Sequence, residues 1–149
     1  MAIETERKFL INGEFRGHAS GKEEIIQTYL TIDQNKTIRL RIIDNKAFIT
    51  IKSRPKANSI SRNEWEFEIP ADDAREMMAI SLPGKIVKTR YLVPAGRHTF
   101  EVDVFHDKNE GLVVAEIELQ EEDEFFERPD WLGEEVTGQA QYYNANLIK

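Results

Sequence analysis

The sequence predicts an α+β chain built mainly on antiparallel sheet, with about eight strands that close, or nearly close, on themselves. Three observations lead there. Segments rich in Ile, Val, Phe, Tyr, Trp and Thr follow one another at about 2–11, 24–32, 36–43, 46–54, 61–69, 84–94, 97–106 and 112–120. Short connections with turn chemistry join many of them: Asp33-Gln34-Asn35, Asp44-Asn45, Pro94-Ala95-Gly96 and the run from Asp107 to Gly111. Finally, several segments alternate charged with mostly apolar residues, beginning with Glu4, Glu6 and Lys8 between Ile3, Thr5, Arg7 and Phe9. Alternate residues of a strand share a face, roughly 7 Å apart.

The remaining elements follow in order. Arg54 to Ser59 carries no hydrophobic pattern and reads as a mobile loop. Pro70 starts a helix over 71–81, with Ala74, Met77, Met78 and Ile80 as its apolar stripe and Pro83-Gly84 as its stop. A short acidic helix is expected at 121–126, and a last amphipathic helix from Gly138 to Lys149, with Tyr142, Tyr143, Leu147 and Ile148 on its apolar side. No repeat, low-complexity tract or linker divides the chain, so residues 1–149 read as a single domain.

Composition narrows the function classes. Forty per cent hydrophobic and 32% charged residues describe a globular chain. The absence of cysteine excludes disulfides, thiolate metal sites and a thiol nucleophile. The net charge of −7 argues against a general nucleic-acid binder. No apolar run approaches the ~20 residues of a membrane helix, and the acidic N-terminus lacks a secretory n-region. A cytoplasmic protein with no nucleic-acid or membrane partner is expected.

The charged strands sort by sign. Acidic sets are Glu4 and Glu6; Glu64, Glu66 and Glu68; Glu101 and Asp103; Glu116 and Glu118. The basic residues are Lys8; Arg39 and Arg41; Lys52; Arg62; Lys88 and Arg90. Two arrangements remain open. Each strand has one wet face and one core face, as half-exposed sheets do. Alternatively, the charged faces share an interior, where acidic strands hold hard divalent cations and basic strands hold an oxyanion. Segregation by strand adds weight to the second without excluding the first, because surface strands promote solubility by mixing signs.

These residues resemble the CYTH domain, the superfamily of triphosphate tunnel metalloenzymes. Ile3-Glu4-Thr5-Glu6-Arg7-Lys8-Phe9 is similar to its N-terminal Glu-x-Glu-x-Lys signature. Further matches are Gln27-Thr28-Tyr29-Leu30, Arg39-Leu40-Arg41, Thr50-Ile51-Lys52, Ser61 to Glu66, and Lys88-Thr89-Arg90-Tyr91. Glu101 to Phe105, Glu116-Ile117-Glu118 and Gly133 to Thr137 complete the set, in order, over nearly the whole chain. The resemblance implies an eight-stranded antiparallel tunnel with a charged lumen, a few flanking helices, and action on triphosphates with Mg²⁺ or Mn²⁺. By position, Glu4, Glu6, Glu116 and Glu118 resemble metal ligands, with Glu66 and Asp103 as additional ones near a second metal. Lys8, Arg39, Arg41, Lys52, Lys88 and Arg90 resemble the triphosphate clamp, with Arg62 beside them or in an ion pair with Glu64. Lys8 is expected to serve catalysis as well as binding, and Tyr29 to orient water or to pack.

The implied activity is hydrolysis of inorganic tripolyphosphate or another triphosphate compound. The alternatives are a class IV adenylyl cyclase and a non-catalytic binder of polyphosphate or nucleoside triphosphates. One segment departs from the small members' pattern: Gly138-Gln139-Ala140-Gln141 replaces an acidic-basic run, while Tyr142 and Asn144 are retained. Homodimerisation would use helices or outer apolar faces. His18, His98 and His106 read as solvated surface, Met77 and Met78 as core, and Glu121 to Glu124 as a solvated helix start. Leu82-Pro83-Gly84-Lys85 lacks the second glycine of a phosphate loop.

Overall fold

The computed structural model describes residues 2–148. Its strands are β1 (Ala2–Ile11), β2 (Gly21–Ile32), β3 (Lys36–Ile43), β4 (Lys46–Ser53), β5 (Ser61–Ile69), β6 (Ile86–Ala95), β7 (His98–Phe105), β8 (Val113–Leu119) and β9 (Leu132–Glu135). The helix α1 (Ala71–Met78) lies between β5 and β6. The sheet runs β5-β4-β3-β2-β6-β7-β8-β1, and β1 pairs back onto β5. Every pairing is antiparallel, so eight strands form a closed barrel.

Closure depends on β1. One of its edges carries β8 from Thr5 to Leu10. Its other edge carries β5 from Ala2 to Thr5, then β9 at Phe9 and Ile11. The sequence gives β9 no strand signal, because Leu132-Gly133-Glu134-Glu135 has no apolar alternation. Gly133 sits so close to the Leu10 carbonyl that a Cβ would meet it at 2.8 Å.

Register settles which face is inside, since residues directly opposite on paired strands share a face. Lys8 is opposite Glu116, which is opposite Glu101. Asp103 is opposite Arg90, Arg41 opposite Gln27, Arg39 opposite Thr50, Lys52 opposite Glu64, and Arg62 opposite Glu4. The walk round the barrel keeps these side chains on its inner face, and all but Asp103 and Gln27 line the enclosed cavity. The core is consequently outside. Phe9, Val93, Phe100, Val102, Ala115, Ile117 and Leu119 form an outward-facing apolar layer, covered by Phe15, Phe126 and Trp131 from the connections. Edge-on rings seal it, with centroids 5.2 Å apart for Phe100–Trp131 and 5.8 Å for Phe9–Phe126. α1 covers another sector, resting on β2, β3 and β4 with Ala74 fully buried. Each fully buried Phe contributes about 1.5–3 kcal/mol.

Two expected helices are absent among the described residues. Residues 121–126 form a turn and an extended segment. The Glu124 side chain accepts from the Gln120 N–H at 2.7 Å and contacts the His98 ring, while Phe126 enters the outer core. The tail forms 3-10 turns at Ala140–Tyr142 and Asn144–Asn146, separated by extended Tyr143. The Tyr142 carbonyl, which a helix would use internally, is taken from outside, since Lys8 Nζ donates to it at 2.9 Å; Asn109 Nδ2 also donates to Leu147 O at 2.7 Å and pins the end of the tail. Lys149, included in the expected helix, lies outside the described residues.

The tail crosses the barrel end where β1, β2, β4 and β7 finish. There Tyr29, Ile86, Phe105 and Val114 pack with Ile148, joined by half-buried Tyr142, Ala145 and Leu147. Residues 54–60 form the loop expected at that same end, tied down by Ser59 Oγ and the Ile60 N–H on Glu122 at 3.2 Å each. No helix among the described residues is long and apolar enough to cross a membrane.

The seat of the tail is testable at Gly84, whose φ is +94° and whose added Cβ would collide with the Ile148 carbonyl. Gly84→Ala is expected to cost about 2 kcal/mol in urea unfolding, from combined backbone strain and overlap. An unchanged midpoint would show that the tail does not dock there.

Candidate functional site

The lumen encloses a cavity of about 340 Å³. It is lined by Glu4, Glu6, Lys8, Tyr29, Arg39, Arg41, Lys52, Arg62, Glu66, Arg90, Glu116 and Glu118, all expected from the sequence. A larger groove of about 1130 Å³ lies outside, along residues 12–14, 94–96 and 124–131. That groove is open surface and shares no residue with the lumen. The chemistry-bearing residues converge only on the smaller cavity.

On the acidic side, Glu4 accepts from Lys52 Nζ with both oxygens, at 2.9 Å each, and from Arg62 Nε at 3.3 Å. Burial opposes ionisation of Glu4, but Lys52 and Arg62 outweigh it and lower the pKa. Arg62 also approaches Glu6 at 4.0 Å. Its partners are therefore on β1, and the expected Arg62–Glu64 pair does not form. For Glu6 the nearby cations, Lys52 and Lys8, compensate only in part. Burial and the Glu116 charge push its carboxyl up to about 8. Glu116 is held well below the usual range, because Lys8, Arg90 and Lys88 outweigh its own burial. Lys8 lies 3.5 Å from Glu116. Burial and the charges of Glu4 and Glu101 raise Glu118.

The basic side is differently balanced. Asp103 is bound by Arg90 through Nε at 2.8 Å and Nη2 at 3.0 Å, and by Lys88 Nζ at 2.8 Å. Lys88 and Asp103 are 0% and 1% exposed at their side chains and do not line the cavity. Both were expected to reach a ligand directly; the structure instead commits them to each other and to Arg90. Glu66 accepts from Thr50 Oγ1 at 2.8 Å and lies 3.7 Å from Arg39. It shares no partner with Asp103, so the two do not form the expected second cation site. Arg41 donates to Gln27 Oε1 at 3.3 Å and has no carboxylate partner among the described residues. Burial, then repulsion from Arg39 and Arg90, pulls Arg41 down to about 9. Arg39 donates to Thr50 at 3.2 Å, while its buried Nε has no hydrogen-bond partner among the described residues. Tyr29 receives the Gln27 amide at 3.4 Å and packs its ring in the apolar cluster at the barrel end.

Several lining residues had no assigned role. Glu64 and Glu101 were legible, standing two positions from Glu66 and Asp103 on alternating strands. Thr50 carries no charge to mark it, and Thr137, Tyr143 and Asn144 reach the lumen from outside the eight strands; Gln27, buried behind the wall, likewise carries no charge although it holds Arg41.

Similarity to known proteins agrees with this geometry. An inorganic triphosphatase of Acetivibrio thermocellus is 39% identical over 150 residues, covering 100% of this chain and 95% of the relative. An inorganic triphosphatase of Nitrosomonas europaea is 35% identical over 153 residues, covering 97% and 95%. The crystal structure of an inorganic triphosphatase matches with a TM-score of 0.69 at 31% identity, over 97% of this chain and 96% of that one. The sequence pattern of the CYTH domain matches residues 2–149. This chain belongs to the CYTH domain family.

Proposed function

We propose that this protein is a metal-dependent phosphohydrolase whose substrate is inorganic tripolyphosphate. The observation that carries the reading is the incomplete basic wall. Among the described residues Arg41 has no carboxylate partner and the buried Arg39 Nε no hydrogen-bond partner, both at a cavity enclosed by protein. Under-neutralised buried guanidinium groups call for an anion. A condensed phosphate supplies several charges along a line, and the names of the two full-length relatives support the same chemistry. Mostly charged lining suits a bare polyphosphate better than a nucleobase, which disfavours the cyclase.

The acidic side fits a hard divalent cation, Mg²⁺ or Mn²⁺. Glu6 retains a proton to about 8 and its side chain hydrogen-bonds Glu116, with Glu4 close by. A cation can replace a proton so placed, and oxygen donors are what these ions prefer. Among the described residues no group of three carboxylates or imidazoles already converges as a cage. Holding the ion therefore requires rotation of Glu6 and Glu116, with Glu4 and Glu118 as further donors. When bound, the metal would neutralise phosphate charge and polarise the scissile linkage.

The chain's own residues do the rest. Arg39, Arg41, Arg90, Lys8 and Lys52 bind and align the phosphates, since phosphoryl transfer is mainly positioning and electrostatics. Lys8 adds charge where the reacting oxygens meet the Glu116 side. Arg62 keeps Glu4 ionised. Tyr29 holds Gln27, and through it Arg41, and is assigned packing and positioning instead of water activation.

Phosphate release from tripolyphosphate, ATP and thiamine triphosphate, with Mg²⁺ or Mn²⁺, tests the reading. Tripolyphosphate should give the highest kcat/KM and chelator should abolish turnover; cyclic AMP formation, or turnover surviving in chelator, would overturn it. Arg39→Ala should raise KM for tripolyphosphate about tenfold or more, the loss of roughly 1.4 kcal/mol of binding. A wild-type KM would remove Arg39 from the clamp.

A pH series tests the proton at Glu6. Its folded pKa of about 8 exceeds the ordinary glutamate value of 4.5. Between those values the folded state keeps a proton that the unfolded chain has lost, so metal-free stability falls as pH rises through that window. Glu6→Gln should remove this slope and stabilise the metal-free protein at pH 8.5 by up to about 4–5 kcal/mol, with convergence near pH 4.5. Parallel curves for both proteins would contradict the assignment.

A further inference from the structure

We propose that Asn144 is a positioning residue for the basic wall, acting through Lys88 and Asp103 on Arg90. The inference rests on the hydrolase reading above and concerns residues behind the lumen surface. Asn144 Oδ1 accepts from Lys88 Nζ at 3.2 Å. The same ammonium is 2.8 Å from Asp103 Oδ2, and Asp103 holds the Arg90 guanidinium by its Nε and Nη2. The remaining Arg90 Nη1 reaches Glu101 at 3.3 Å.

Four side chains thus form a line from the C-terminal turns to the cavity. Its middle members, Lys88 and Asp103, are buried and do not line the cavity, whereas Arg90 does. A buried ammonium needs its donors satisfied. With the Asn144 acceptor removed, Lys88 has Asp103 as its remaining polar side-chain partner and draws more strongly on it. Asp103 then shares less of its carboxylate with Arg90, and the fork that fixes the guanidinium plane loosens. The consequence is weaker, less ordered phosphate binding at Arg90. Asn144 lies in a segment held by docking and not by sheet hydrogen bonds, so the wall is set partly from outside the barrel.

Asn144 itself lines the cavity, so direct contact with substrate is the competing explanation. A double-mutant cycle separates the two. Wild type, Asn144→Ala, Lys88→Met and the double variant are assayed with tripolyphosphate and Mg²⁺, with melting temperatures measured alongside; Lys88→Gln replaces Lys88→Met should the latter not fold. Asn144→Ala should raise KM about 5–10-fold with kcat within about twofold, and the double variant should match the Lys88 variant alone. A wild-type KM for Asn144→Ala overturns the proposal. So does multiplication of the two KM effects in the double variant, which assigns Asn144 to the substrate. A fall in melting temperature and kcat with unchanged KM makes its role merely structural and also overturns it. Lack of turnover by the wild type would defeat the hydrolase reading instead; the same cycle is then read on calorimetric binding of inorganic tripolyphosphate, where the same non-additivity in Kd is required.

Discussion

The whole structure depends on charge balance inside a closed wall. At an effective dielectric near 20, two unit charges about 4 Å apart interact by about 4 kcal/mol, several times their interaction in water. Every lumen carboxylate therefore needs a cation, a proton or a hydrogen-bond donor, and every cation an acceptor. The fold meets this requirement unevenly. Glu4 is neutralised by Lys52 and Arg62, and Asp103 by Arg90 and Lys88. Glu6 is neutralised by a proton, and Arg41 has no carboxylate partner among the described residues. These two ends, one acidic and one basic, are where the proposed cation and anion would bind.

Such an interior requires an inverted barrel. Side chains inside cannot supply the hydrophobic stabilisation, so the outer face does, beneath Phe15, Phe126, Trp131 and α1. This explains why the connections at 12–20 and 120–131 pack closely although they contain little regular structure. They are the roof of the core. The segment over the barrel end has a parallel role, closing one stretch of lumen with apolar residues while presenting Tyr142 O to Lys8 and Asn144 to Lys88.

Period-two alternation made the strands legible: β1, β3 and β5 match the expected ranges, and β4 differs by one residue. The sign-segregated pairs also pointed to the lumen. Alternation alone could not choose the inside, because a charged face suits solvent equally well until the barrel is known to close. Arg62 shows a second limit. Glu64 is its i+2 neighbour at about 7 Å, but the residue across the strand pair lies at about 5 Å, so Glu4 takes the interaction. Lys88 and Asp103 show a third, since residue type suggests ligands while the structure buries them in an ion pair behind the cavity. The tail's apolar residues are spaced for a helix, yet the Tyr142 carbonyl that would continue it is claimed by Lys8. Asn144 is marked only by the resemblance, being uncharged and outside the alternating strands, so its contact with Lys88 was not legible.

The most direct measurement is a crystal structure with tripolyphosphate and Mn²⁺, the metal located by anomalous scattering. The account requires phosphate oxygens against Arg39, Arg41 and Arg90 within the barrel, and an anomalous peak between Glu6 and Glu116. An anion on the outer groove at Trp131, or manganese away from these carboxylates, would contradict it.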